Sequence, residues 1–226
     1  MQKARKTFRI FSLCILTTSL FSSCLKNDNE TIALPEIGTA ANVIPPEIRE
    51  EFESQMTIYE GVNPPDITGS FVMSKSALQY SSDGYTSSNW ADHYMAFHSR
   101  KGNTYKFNGK QLNSEEYSPS VVVIGKGMEF TAYYTSEAHH DDGQTWSKTA
   151  NLTSGTITES GIKNLTHAFI MLDKNDPDGR LMEVNEYRIF YDQDRLAANS
   201  NWYNIKSLIE SDESNDRISI YAKQNK

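Results

Sequence analysis

The densest collection of possible ligands in this 226-residue chain is Glu137-Ala-His139-His140-Asp141-Asp142-Gly143, two imidazoles and three carboxylates in one short run. Such a set suits Zn²⁺ or another transition metal. Neighbouring residues of an extended strand point to opposite faces, so His139 and His140 converge on one ion only where the backbone bends. Asp-Asp-Gly follows as a hairpin signal, and the run, His139, His140 and Asp141 included, reads as a polar loop. No metal or other cofactor is assigned to it. Asp173-Lys-Asn175-Asp176-Pro-Asp178-Gly179 has the look of a calcium loop. Pro177 stands where an Asp or Asn ligand is required and Asp178 where the loop needs Gly, so a polar turn is expected.

His93 and His167 lie inside apolar runs, and either has the chemistry of a general base. A partner nucleophile is missing from the motifs: there is no G-x-S-x-G, no H-E-x-x-H, no G-x-x-x-x-G-K-[ST] and no G-x-G-x-x-G. The 29 acidic residues offer many carboxylate pairs, and only geometry selects one. No catalytic residue is assigned. Tyr80, Tyr85 and Trp90 frame a Ser-rich loop, while Trp146 and Trp202-Tyr203 lie near other turns. Exposed aromatics there would stack on sugar rings or line a barrel mouth; core and rim packing is the plainer reading.

These residues need a framework to position them, and the hydrophobic pattern supplies it. PPEIREEFESQM places Pro46 at a first helical position, acids in the first turn, and Ile48, Phe52 and Met56 on one stripe. It predicts a short amphipathic helix covering an end or edge of the sheet. From Asp66 onward the period is two: Ala91, His93, Met95 and Phe97 share one parity, as do Tyr105 and Phe107, then Met128, Phe130, Ala132 and Tyr134, and finally Ile218 and Ile220. Val121 to Ile124 and Ala168 to Leu172 are continuous apolar runs, as strands buried on both faces require. Asp83-Gly84, Lys101-Gly-Asn103, Asn108-Gly109, Gly125-Lys-Gly127, Asp142-Gly143, Ser160-Gly161 and Asp178-Gly179 read as turns.

The expectation is an all-β fold, an antiparallel meander of about ten strands, with a short N-terminal helix and another near the C-terminus from Trp202 to Ile209. Its edges must be hidden, and a lipocalin-like barrel is favoured over a β-sandwich. Gly69-Ser70-Phe71 resembles the Gly-x-Trp start of lipocalins, with Phe for Trp.

Lys3, Arg5, Lys6 and Arg9 precede the apolar run Ile10 to Phe21, the pattern of a secretory signal peptide. As a helix that run rises about 18 Å, short of a bilayer core of about 30 Å. Ser22-Ser23-Cys24 resembles a bacterial lipobox, which implies acylation of Cys24. Cys14 would be discarded, and the one remaining cysteine has no internal disulfide partner. Several acyl chains, palmitate among them, anchor stably to a membrane. The expected organisation is a lipoprotein signal peptide at 1–23, the acylated Cys24 and a flexible tether at 24–45, and a single β-rich domain at 46–226. Losing four basic residues from 22 leaves 18 against 29 acids, a net charge of −11. Nucleic acid is therefore not expected as a partner.

GVNPPDITGSFVMSKSALQYSS (61–82) and SGIKNLTHAFIMLDKNDPDGRLMEVNEYRIFYDQD (160–194) resemble a group of envelope lipoproteins from Bacteroidetes without assigned activity. The resemblance implies an envelope location and a β-rich fold, and it carries no site residues. Cys24-Leu-Lys-Asn-Asp-Asn-Glu also resembles the surface-export signal of such lipoproteins, which implies the outer membrane and a surface-facing domain. Three functional classes follow. A binding module for a small apolar molecule or glycan is favoured; a structural or protein-interaction component of a surface assembly is the alternative; an enzyme would need titratable groups converging in a cleft.

Overall fold

The computed structural model describes residues 44, 46–87 and 90–203. Cys24, the leader, the expected tether apart from Ile44, and the strand expected near Ile218 lie outside them; Ile44 is buried in the core beside the helix that starts at Pro46. Of the expected second helix only Trp202 and Tyr203 are described, and they form a bend.

One helix, α1 (Pro46–Gln55), precedes eleven strands that form one sheet. They are β1 (Val62–Asn63), β2 (Gly69–Met73), β3 (Ser76–Ser81), β4 (His93–Lys101), β5 (Thr104–Gln111), β6 (Ser114–Lys126), β7 (Glu129–His140), β8 (Trp146–Thr158), β9 (Gly161–Asn175), β10 (Tyr187–Asp192) and β11 (Leu196–Asn199). The pairing is antiparallel apart from β1, which lies parallel to β6 at Val62↔Gly125.

Two strands are interrupted once each, and their breaks face one another. β2 and β3 run in line and pair with β11 and β10 in turn: Val72 opposes Ala198, and Ser76 opposes Asp192. The far edge of the β10–β11 line pairs with β9, at Phe190↔His167 and Ala197↔Ile162. Since β4 to β9 form a continuous meander starting beside β2, the sheet closes on itself as a ring of eight staves. Closure satisfies the edges that an open meander leaves bare.

Strand alternation divides the side chains between lumen and outside. Phe71, Met95, Phe97, Tyr105, Phe107, Val121, Phe130 and Tyr134 fill the lumen at one end. Phe107 stacks 4.7 Å from Tyr134 and 5.2 Å from Phe97, centroid to centroid. The opposite parity builds a second core on the outer face, where Phe52 of α1 and Met56 just after it meet Ile124, Tyr133, Leu152, Ile170 and Ile189. The helix thus covers a face of the ring, not an end or edge. It is the outer cover that lets Val121–Ile124 and Ala168–Leu172 be apolar on both parities. Burying Phe52 completely in this way is worth about 2–3 kcal/mol of apolar transfer.

Met128 departs from its expected strand face: it sits in the β6–β7 turn, 54% exposed. Asn108-Gly109 departs as well, lying within β5 instead of forming a turn. The reversal comes at Leu112-Asn113, with Leu112 at φ 48°.

Candidate functional site

The lumen holds side chains at one end and an open cavity of about 460 Å³ at the other. Among the connections, its lining takes Trp90 from the segment before β4, the Leu112-Asn113 turn, and Arg180, Leu181 and Met182 from the segment between β9 and β10. Trp90, Leu112, Leu181, Met182, Phe169 and Phe190 supply much of the apolar lining. A depression of about 500 Å³ beside the C-terminal end of α1 is wide open and lined by residues 53–58 and 60, with no buried titratable group.

Between cavity and aromatic plug lies a layer of buried polar side chains. β4 and β9 are not neighbours in the ring, yet their lumen-facing histidines meet across it: the His93 and His167 rings stand 5.3 Å apart, edge to face. From β6, Glu116 places Oε2 3.7 Å from His93 Nε2. That is an ion-pair separation, longer than a hydrogen bond. The other oxygen of Glu116 accepts a short hydrogen bond from the Ser136 hydroxyl. Asn151 Nδ2 donates to Ser136 Oγ at 2.7 Å and to Thr149 Oγ1 at 2.9 Å. The Thr153 hydroxyl lies 3.0 Å from His167 Nδ1 and 3.2 Å from the Tyr134 hydroxyl, linking the layer to the plug beneath.

Local sequence makes room for this layer. Gly109 faces the lumen opposite Glu116, and a Cβ there would come 2.9 Å from Glu116 Oε2. The irregular pairing around Ser118-Pro119-Ser120, where the register shifts between Tyr117 and Val121, separates the polar half of β6 from its apolar half.

Burial alone would raise the Glu116 carboxyl; His93, the Ser136 hydroxyl and His167 together reverse this and hold it below the usual carboxylate range. Burial pushes the His167 imidazole down to about 3, His93 adds to the effect and Glu116 opposes it, so the ring is neutral at physiological pH. The Tyr134 hydroxyl is pushed well up, by burial first and by the charge of Glu116 second. The floor therefore sets the Glu116 carboxylate beside a neutral His167 imidazole and an un-ionised Tyr134 hydroxyl.

The two arginines at the cavity are engaged elsewhere. Arg188 makes a short ion pair with Asp83 and lies over the rings of Tyr85 and Trp90, at 4.5 and 5.6 Å. Arg180 pairs with Asp142 of the turn after β7 and donates to Thr145 Oγ1 at 3.0 Å.

His139 and His140 are the last residues of β7; His140 reaches the cavity lining while His139, of opposite parity, opposes Trp146. Asp141 lies in the turn that follows, and Asp142 accepts from the amides of Gln144 and Thr145. Among the described residues no group of three His, Cys, Asp or Glu is arranged to hold a metal ion. The 173–179 run ends β9 and turns. Asp176 accepts from the backbone amides of Arg180 and Leu181, at 2.9 and 2.7 Å, and serves as a loop staple.

Of the aromatics, Trp90 reaches the cavity, Tyr85 is exposed at its rim, and Tyr80 stacks on Tyr187 outside the ring. Tyr203 donates to Asn108 Oδ1 at 2.8 Å, and the same oxygen lies 2.7 Å from His98 Nε2. Glu116 was not singled out by sequence; its signal is the polar parity Ser114, Glu116, Ser118 in a strand that is otherwise apolar on the same side.

The class this geometry defines is a closed antiparallel ring with a plugged base and an amphipathic cavity at its mouth. Compared with protein-family models, curated proteins and solved structures, the chain matches none. Among the described residues, no helix is long and apolar enough to cross a membrane.

Proposed function

We propose that the protein is a lipid-anchored envelope lipoprotein whose domain is a non-catalytic binding module for a small, partly apolar molecule. The observation that carries the reading is the cavity itself: about 460 Å³, apolar at the mouth, and backed by buried polar groups that fix orientation. In the polar layer the hydroxyls of Ser136 and Thr153 are tied to Glu116 and His167 and to neighbouring side chains, an arrangement that supports ligand recognition. A glycan is the less suited occupant, because the one tryptophan of the cavity is spent against Phe190 at 4.7 Å and Tyr85 at 5.6 Å.

Anchoring follows from the sequence features around Cys24: a basic segment, a short apolar run and small residues before a single cysteine. Acylation there, a tether to residue 45, an outer-membrane site and a surface-facing domain complete the proposal. The likeness of 61–82 and 160–194 to Bacteroidetes envelope lipoproteins supports the same location.

Native mass spectrometry of the mature chain from residue 25, exported in a related host and gently purified, tests the binding role. The expected result is excess mass that disappears on denaturation. A bare mass in both states, together with no uptake of added amphiphiles, overturns the binding role.

A further inference from the structure

We infer that the cavity selects an amphiphile whose polar end is a hydrogen-bond-donating, cationic head, an alkyl amine before an alkyl alcohol, and that it disfavours an alkyl carboxylate. This rests on the binding-module reading and adds the chemistry of the head group.

Glu116 is the one formal anion of the floor, and the groups that counter its burial are His93, Ser136 and His167, not a lysine or arginine. One of its oxygens is held by Ser136. The other, Oε2, stands 3.7 Å from His93 Nε2 with that hydrogen bond unclosed, and it lines the cavity. Gly109 keeps the space next to this oxygen free of side chain. A donor arriving from the mouth thus meets a carboxylate oxygen in a site of low dielectric, where a charged hydrogen bond is strong.

An anionic head meets the reverse. It would be brought towards Glu116 out of water, and like charges at close range in such a site cost several-fold in affinity at the least. The cavity arginines do not compensate, since Arg188 is held by Asp83 and Arg180 by Asp142. The apolar side chains at the mouth, Trp90, Leu112, Leu181 and Met182 among them, then cover the tail. Length follows from volume: a chain of about eight to twelve carbons fits a cavity of this size.

Octylammonium, octanol and octanoate are to be compared on the mature chain by displacement of the neutral fluorescent probe N-phenyl-1-naphthylamine, at neutral pH. About 0.3 M salt screens the acidic surface. The expected result is displacement by octylammonium at a concentration at least tenfold below that for octanoate, with octanol between. Glu116→Gln is expected to shrink the ratio below threefold, and Ala138→Trp, which fills the cavity, to abolish probe binding. Octanoate equal to or better than octylammonium overturns the inference, as does a ratio unchanged in a folded Glu116→Gln protein. The wild-type ratio is decisive even where that variant does not fold. A wild-type protein that takes up neither probe nor amphiphile overturns the underlying cavity reading instead, so the two failures are distinct.

Discussion

Asp192 ends β10 buried, while Asp194 beside it pairs with Lys75 at 3.1 Å. Burial, then the closeness of Asp194, raises the Asp192 carboxyl to about 6, which makes it the proton donor of the pair. The sign of the linkage is that of a raised acid. In the unfolded chain Asp192 ionises near 4, so the folded state holds an extra proton between about 4 and 6; the stability this brings is present below that window and lost as pH rises through about 6. Asp192→Asn removes the buried ionisable carboxyl beside Asp194. It should raise stability on the order of 2 kcal/mol at pH 8, with roughly half of that advantage gone at pH 5, as read from urea unfolding at the two pH values. His167 works in the opposite direction: its imidazole, neutral when folded, takes up a proton on unfolding as pH falls below about 6.5. At this scale the sequence showed His93 and His167 as isolated members of apolar runs. It did not show that they meet, because β4 and β9 touch only across the lumen, and residue spacing has no access to that distance.

The seam of the ring is where single elements are most exacting. Gly161 opens β9 at φ 136°, paired with Ala198 of β11, and a Cβ there would press on the Ala197 carbonyl oxygen. Gly161→Ala should therefore cost about 2–4 kcal/mol by urea unfolding, through backbone strain and loss of β9–β11 pairing. Gly84, at φ 72° in an open turn, is the control: Gly84→Ala should cost only about 1 kcal/mol. Equal losses at the two sites would show that the seam bears no special constraint. Most elements were legible in the sequence. The α1 stripe and the alternations of β4, β5 and β7 each reflect a single buried face, which local periodicity encodes directly. Asn108-Gly109 misled because the same dipeptide serves two purposes. Here the glycine clears space for Glu116, and the asparagine faces outward to His98 and Tyr203.

For the whole molecule, the leader and the ring make separate claims and are tested separately. Cells fed an alkynyl fatty acid should label the wild-type protein and not Cys24→Ala, and the variant should accumulate with its leader uncleaved. Label retained in Cys24→Ala would overturn the anchor while leaving the cavity untouched. By itself the sequence determined the all-β class, the helix that starts the domain, the burial parity of most strands and the acidic charge. These depend on the order of apolar and polar residues along a few turns or a single strand, and so are written locally. Only the tertiary structure decided that the meander closes through β10–β11 against β2–β3, and that α1 covers an outer face. It also decided that the lumen divides into an aromatic plug and a cavity floored by Glu116, His93 and His167. The physical reason is that closure and convergence depend on twist, bulges and register summed over more than a hundred residues, and the side chains that meet in the lumen are neighbours in no local pattern.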